Sequence, residues 1–334
     1  MTPEKIIGDL KKAQFKAVYW LEGEENYFID QVIDFAEHKI LAESEAGFNL
    51  TVFYGRDTAW PDVINACRRY PMFSERQVVI IKEAQDLKGI DKLEAYVEKP
   101  LSSTLLFVAY KDKKVDGRTK LAKLLKDKAV LMTTKKMYDN ALPEWTNDLV
   151  KDKGFSITKK ALFLLIDHIG NDLSRLSNEI DKLALNMKDR TQITEDDIEK
   201  FVGVSKEFNV FELQQAIAQR DLYKAIRIVQ YFGSNPKAAP LQLVFPSLYN
   251  FFSKVQVVYS VPSKDEKTVA SAIGVNAWFV KDYISTSTKF SYPEIEKVLL
   301  LLYEYNLRNL GVNDGGTEDA ELLKEMVVKM IAPL

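Results

Sequence analysis

The stretch "LEGEENYFID", residues 21–30, has residue spacing close to that of a nucleotide-binding motif. The apolar run "KAVYWL" before it predicts a buried strand, and "FIDQVIDFAEHKI" after it predicts a helix. In a phosphate-binding loop, G-x-x-x-x-G-K-[ST], backbone amides hold the phosphates, the lysine contacts the terminal ones and the hydroxyl binds magnesium. The sequence therefore predicts the strand, turn and helix of such a loop.

The residues that perform the chemistry of that loop are nevertheless replaced. Counting from Gly23, Phe28 stands in place of the second glycine, Ile29 in place of the lysine and Asp30 in place of the hydroxyl. A phenylalanine obstructs close approach of the backbone, and an isoleucine supplies no charge. A carboxylate at the helix N-terminus fills the position that an anion would take. We predict a degenerate phosphate loop without a functional nucleotide site.

A second element of nucleotide chemistry is also replaced. The third apolar strand, "VVII", is followed by Lys82 and Glu83, where an acidic pair would position magnesium and water. The alternative is that this sheet is unrelated to nucleotide-binding folds.

Other residue types that perform chemistry indicate no site. His38 and His168 lie in helical runs without the spacing of metal ligands. Cys67 is the single cysteine, so an internal disulfide is excluded, and we predict that it is buried as a small apolar residue. Asp196 and Asp197 stand at a predicted helix start, where the helix dipole accounts for them. We therefore predict no catalytic residue, metal site or cofactor.

The segment "RRYPMFSERQ", residues 68–77, carries the informative apolar feature. Pro71 favours an extended or turn conformation, and Met72 and Phe73 follow it between charged neighbours. A Met–Phe pair on such a connection suits an anchor for a partner's apolar pocket. Alternatively, the pair folds back on the local core.

Composition limits the class of protein. The chain has 334 residues, with 46% hydrophobic and 28% charged, which is typical of a globular protein of two or three domains. A net charge of −2 argues against a protein whose own field dominates nucleic-acid binding. The basic run at 111–128 could contact phosphate, although a solvated face is the commoner explanation. No segment has the apolar length of a membrane span, and we expect a cytoplasmic protein.

The order of predicted elements indicates three domains. Five short apolar runs alternate with helical stretches up to about residue 140, which is the pattern of a parallel α/β sheet. A small helical domain follows at 141–207, in which Asn171 or Asp172 is placed to cap a helix and Thr194 with Asp197 forms a capping box. Residues 208–334 are predicted to be all-helical, with apolar stripes that form a core and could also form oligomer contacts.

Several segments together resemble the delta subunit of the bacterial DNA polymerase III clamp loader. They are "YWLEGEENYFIDQVID", "YPMFSERQVVIIKEA", "LLFVAYKDKKVDGRTKLAK", "GNDLSRLSNEIDKLAL", "ITEDDIEKFVG" and "FNVFELQQAIAQRD". The resemblance spans nearly the whole chain. It implies an AAA+-like first domain at 1–140 without ATPase activity, a helical lid at 141–207 and a helical collar at 208–334 that joins other subunits in a ring.

The resemblance also implies partners and site residues. It implies binding and opening of the sliding clamp, with Pro71, Met72 and Phe73 as the clamp-binding segment. Further partners would be the ATPase subunits, delta prime, and primer–template DNA in the assembled complex. The related delta prime usually has a cysteine-rich zinc module, which this sequence lacks. The competing hypotheses are a divergent but active AAA+-type ATPase and a helical scaffold for an unrelated complex.

Overall fold

The computed structural model describes residues 1–187, 190–236, 238–313 and 315–332. The chain divides into two compact units, Met1–Met137 and Tyr138–Leu334. The division lies close to the predicted boundary at residue 140. The second predicted boundary, between residues 207 and 208, falls inside the second unit, so the division into three domains stays a prediction.

The first unit is built on a five-stranded sheet in which every paired neighbour is parallel. The strands are β1 Val18–Gly23, β2 Leu50–Tyr54, β3 Gln77–Lys82, β4 Thr104–Lys111 and β5 Val130–Thr134. Their order across the sheet is β2-β3-β4-β1-β5, so β1 lies between β4 and β5. All five strands coincide with the apolar runs in the sequence, because a parallel sheet covered on both faces needs near-continuous apolar strands.

Both faces of this sheet are buried. Val18 and Trp20 belong to one apolar cluster, whereas Tyr19 and Leu21 belong to the cluster on the opposite face. This alternation follows from the two-residue period of a strand. Tyr19 stacks on Phe107 of the neighbouring strand, with ring centroids 4.4 Å apart.

Helices supply the covering of the sheet. In the first unit they are α1 Pro3–Lys11, α2 Asn26–Lys39, α3 Glu43–Asn49, α4 Trp60–Cys67, α5 Glu94–Val97 and α6 Lys120–Lys128. Cys67 at the end of α4 is fully buried, as predicted, and desolvation raises the pKa of its thiol to about 12.

The second unit begins with short helices around a two-stranded parallel ribbon. Its elements are α7 Leu142–Asp152, β6 Ser156–Ile157, α8 Lys159–Ile169, α9 Leu173–Asn186, β7 Gln192–Ile193, α10 Glu195–Asp197 and a π-helical turn, Ile198–Val202. Of the two predicted caps of α9, Asp172 accepts a hydrogen bond from the Arg175 amide at 2.9 Å. The predicted capping box is also present, since the Thr194 amide donates to the Asp197 carboxylate at 2.8 Å.

The rest of the second unit is helical. Its helices are α11 Val210–Ala218, α12 Leu222–Ser234, α13 Leu241–Ser260, α14 Glu266–Ile273, α15 Val280–Lys289, α16 Tyr292–Asn309 and α17 Asp319–Ile331. Arg220, between α11 and α12, donates to the carbonyls of Lys289 at 3.2 Å and Ile331 at 3.4 Å. It also pairs with Glu294, so one guanidinium joins the ends of α15 and α17 to the start of α16.

The predicted fold class is confirmed, because a parallel α/β sheet opens the chain and helices dominate the remainder. Within the described residues, no helix is long and apolar enough to cross a membrane.

Candidate functional site

The connection between β1 and α2 occupies the place of a phosphate loop. Gly23 is the last residue of β1 and Asn26 is the first of α2, so the connection consists of Glu24 and Glu25. A phosphate loop needs four residues between its glycines to wrap the phosphates. Too little chain remains here to form that cradle.

The backbone donors of this connection already have protein partners. The Gly23 amide donates to the Lys113 carbonyl at 3.1 Å. The Glu24 amide donates to the carbonyl of Thr134 at 3.4 Å, and the Glu25 amide donates to the hydroxyl of Thr134 at 3.1 Å. Amides that would cradle a phosphate instead join β1 to β5 and to the chain after β4.

Gly23 is required by packing against β5. Its φ of +128° lies in a region that other residues rarely adopt, and an added Cβ would lie 2.2 Å from the Thr134 carbonyl oxygen. This close approach accounts for the glycine without any phosphate.

The three replaced positions of the motif lie in the first turns of α2. Ile29 is fully buried in the core of the sheet, and Phe28 packs against the same cluster. Asp30 pairs with Lys111 at the end of β4, with 2.8 Å between the ammonium and the carboxylate. Two of the positions therefore serve the core, and the third serves an ion pair.

Lys111 joins two carboxylates at the carboxyl end of the sheet. Its ammonium lies 2.9 Å from Glu83 as well as contacting Asp30, and its side chain is 15% exposed. Partial burial opposes a charged lysine, but the hydrogen bonds with Asp30 and Glu83 prevail and raise the pKa of Lys111. For Glu83, burial likewise acts in the opposite direction, and the hydrogen bonds from Lys111 and Gln85 lower its pKa. Both partners are held in their charged forms.

The residue that replaces the magnesium-binding acid is neutralised as well. The ammonium of Lys82, at the end of β3, lies 2.5 Å from the carboxylate of Glu37 on α2. Two further carboxylates near the connection, Glu22 and Glu25, are only 7% and 8% exposed. This excess of negative charge opposes a phosphate at the same edge of the sheet.

The segment with Met72 and Phe73 lies before β3, at the amino end of the parallel sheet, whereas the β1–α2 connection lies at the carboxyl end. Phe73 is 94% exposed and Met72 is 52% exposed. Phe73 also has a φ of +54°, a left-handed conformation that is rare for a bulky residue. The structure therefore does not place this pair in the local core. Pro71 before it is half-buried.

Asn49, at the end of α3, holds the backbone of this segment. Its carboxamide accepts a hydrogen bond from the Met72 amide at 2.7 Å and donates to the Met72 carbonyl at 2.9 Å. Asn49 is itself 2% exposed. Because both polar groups of one residue are bonded to a buried side chain, the backbone of Met72 is fixed while its side chain stays accessible.

Two further contacts fix the ends of the segment. The carboxamide of Gln77 donates to the carbonyl of Arg69 at 2.6 Å. The guanidinium of Arg76 lies over the ring of Phe15, 4.3 Å from its centroid. Exposed apolar side chains are thus presented on a constrained loop.

The sequence alone did not reveal the residues that hold the Met72 segment and the carboxyl end of the sheet. Asn49 is 23 residues from Met72, and Lys111 is 81 residues from Asp30, so no local pattern links them. Lys111 opens the basic run at 111–128, for which a solvated face is the commoner explanation, and its partial burial between two acids is an exception within that run. The available signal was its position at the end of an apolar strand.

Comparison with known proteins gives one family. Residues 19–135 match the family model "DNA polymerase III, delta subunit". The DNA polymerase III subunit delta of Bacillus subtilis (strain 168) is 27% identical over 330 residues, covering 95% of this chain and 93% of that protein. These matches agree with the resemblance to the delta subunit of DNA polymerase III that the sequence segments indicate.

A second curated protein and a solved structure show the same similarity. The probable DNA polymerase III subunit delta of Aquifex aeolicus (strain VF5) is 23% identical over 302 residues, covering 85% of this chain and 83% of that protein. The structure of the Bacillus subtilis DNA clamp loader delta protein is similar with a TM-score of 0.55 and 24% identity, over 98% of this chain and 99% of that one. The chain therefore shares the fold of this clamp loader delta protein along its length.

Proposed function

We propose that this chain is a DNA polymerase III delta subunit, the non-catalytic clamp-loader subunit that binds and opens the DNA sliding clamp during replication. In this proposal Met72 and Phe73, presented after Pro71, enter an apolar pocket on the clamp. The observation that carries the proposal is the exposure of Phe73 on a backbone held by Asn49. An exposed aromatic residue on a fixed backbone loses little conformational entropy on binding, and such residues dominate binding energies.

The competing hypothesis is an active ATPase. The occupied amides after β1, the burial of Ile29 and the carboxylates around Lys111 all disfavour it. We propose that the fold serves as one wedge of a ring in which neighbouring subunits hydrolyse ATP, and that this chain uses no cofactor.

We further propose that residues 208–334 form the collar that joins the ATPase subunits and delta prime, after a lid at 141–207. Several large apolar side chains of this region are exposed, including Tyr223, Leu243, Leu300, Tyr303 and Leu310. Where such side chains form a contiguous patch, they commonly mark an interface. Primer–template DNA would be a partner in the assembled complex, and the location would be the cytoplasm.

The double variant Met72→Ala/Phe73→Ala tests the clamp-binding role. Each fully buried large apolar group contributes roughly 1.5–3 kcal/mol, and about 1.4 kcal/mol changes affinity tenfold. We expect clamp affinity to fall by about two orders of magnitude or more, measured by calorimetry with the purified clamp. Because both side chains are exposed in the free chain, its melting temperature should stay nearly constant.

Leu185→Ala serves as the matched control, since Leu185 is an equally apolar residue that is 81% exposed. It should leave clamp affinity unchanged. Unchanged affinity in the double variant, or a sharp loss of stability, would contradict the anchor role.

A further inference from the structure

A cavity of about 530 Å³ lies within the second unit. Residues of α8, α13 and α15 line it, together with the chain before α7 and the turn after α14. Its volume is in the range of small-molecule sites, roughly 300–1,000 Å³. The clamp-binding segment belongs to the other unit, so this cavity is separate from the proposed clamp-binding site.

Two aromatic pairs form apolar walls of the cavity. The rings of Phe163 and Phe279 meet edge to face with centroids 5.0 Å apart, and those of Phe251 and Tyr283 lie 4.8 Å apart. Aromatic faces attract cations and planar groups. The walls therefore suit a flat or cationic ligand.

Gln214 of α11 contributes a buried polar group to the lining. Gln214 is 7% exposed as a whole, and its carboxamide makes no hydrogen bond within the described part of the chain. An amide that lines a cavity without a protein partner has donors and an acceptor free for a ligand. A ligand in the cavity could supply the missing partner.

The charged residues of the lining favour a cation. They are Asp139, Asp167 and Lys254, so acids outnumber bases. Asp139 accepts a hydrogen bond from Asn171 at 3.3 Å, whereas Asp167 has neither an ion pair nor a hydrogen bond among the described residues. Asp167 is an exposed residue that lines the cavity, and partial desolvation by the neighbouring protein raises the pKa of its carboxyl to about 6. A bound cation would compensate this carboxylate.

We propose that this cavity is a binding site for a small organic cation with a planar, hydrogen-bonding head of the guanidinium class. Asp167 pairs with the charge, Gln214 bonds to the polar groups of the ligand, and the aromatic walls contact its apolar stem. The ligand could be a free metabolite or an arginine side chain of another protein, and both present the same chemistry.

The probe is N-acetyl-L-arginine amide, compared with the citrulline analogue that has nearly the same shape but no charge. Binding is measured by calorimetry on the full-length chain. A ligand of this size in a preformed pocket should bind with a dissociation constant on the order of 1 mM. The citrulline analogue should bind at least about tenfold more weakly, since it loses the charge–charge interaction. Free arginine is the second arm: tighter binding than the capped probe indicates a metabolite, and weaker binding indicates a protein side chain.

Asp167→Asn should weaken binding of the arginine probe about tenfold and leave the melting temperature nearly unchanged, because Asp167 is exposed and loses no hydrogen bond or ion pair to the described residues. Asp152→Asn, at an exposed acid that ends α7, should change neither quantity. The proposal is overturned if the folded chain shows no saturable binding at concentrations of the arginine probe well above the expected dissociation constant. Equal binding of both analogues, or unchanged binding by the Asp167→Asn variant, would overturn it too.

Discussion

The connecting segments at the two ends of the parallel sheet in the first unit differ in what their polar and apolar groups contact. At the carboxyl end, the amides after β1 are bonded to Lys113 and Thr134, and charged side chains are paired with one another. At the amino end before β3, the backbone is bonded to Asn49, but the large apolar side chains face solvent. At the carboxyl end the polar groups are bonded within the protein, whereas at the amino end the apolar side chains stay accessible. This difference supports the proposal that the amino end binds a partner and that the carboxyl end binds no nucleotide.

The largest expected effect comes from restoring the lysine of the phosphate motif. Ile29→Lys places an ammonium in a core position that is fully buried, so we expect a loss of about 3–5 kcal/mol in the free energy of unfolding. Titration of any folded protein with magnesium and ATP should detect no binding, because the backbone donors stay occupied. His38→Lys, at an exposed position of α2, should fold normally. Tight binding of ATP by the Ile29→Lys variant would contradict the view that the polar groups at the carboxyl end are already occupied within the protein.

The next effect concerns the support of the exposed end. Asn49→Ala removes both hydrogen bonds to Met72, and we expect a loss of about 1–2 kcal/mol in stability. Clamp affinity should fall about tenfold, because Met72 and Phe73 are no longer held in the binding conformation. Denaturant unfolding and clamp titration measure the two effects. Asn65→Ala, at an exposed site of α4, is the control. Unchanged clamp affinity of the folded Asn49→Ala variant would show that the hydrogen bonds to Met72 stabilise the fold but do not support clamp binding.

A smaller effect is expected at the closed end. Lys111→Met leaves Asp30 and Glu83 without their cation, and we expect a loss of roughly 0.5–1 kcal/mol near pH 7, allowing for solvent screening. The lowered pKa of Glu83 contributes stability that is fully present above 4.5, the pKa of this glutamate in the unfolded chain. That stability is lost as the pH falls through the lower pKa of Glu83 in the folded protein. The difference between wild type and variant should therefore shrink in acid. Unfolding curves at several pH values measure it, with Lys113→Met at an exposed neighbour as control. A difference that does not depend on pH would argue against the ion pairs.

The smallest effect separates backbone strain from binding. Phe73 has a left-handed backbone and an almost fully exposed side chain, so Phe73→Gly loses little burial and relieves a steric cost. The free energy of unfolding should stay constant or rise by up to about 1 kcal/mol. Clamp affinity should fall in the same variant. A clear loss of stability would mean that the ring contributes to the fold.

The sequence predicted the elements better than their contacts. Apolar runs identified all five strands, and residue types at helix starts identified the cap of α9 and the capping box, since these signals are local. The degenerate phosphate loop was also inferred from local residue types, and it stays a prediction. The contact of Asn49 with Met72 depends on folding of the sheet, and no period in the chain encodes it. Exposure of Phe73 could not be decided either, because an apolar residue after a proline suits a core and a surface equally.

The pairing of Lys111 with Asp30 and Glu83 has a consequence for timing. In a nucleotide-binding subunit, the groups at this edge of the sheet would be joined by a ligand that arrives, changes and leaves. Here they are joined by a side chain of the same polypeptide, which cannot be exchanged. This ion pair therefore cannot time a conformational change in the way that an exchanged ligand does. If it acts within a ring, the moment at which Phe73 becomes available to a partner must be set by its neighbours.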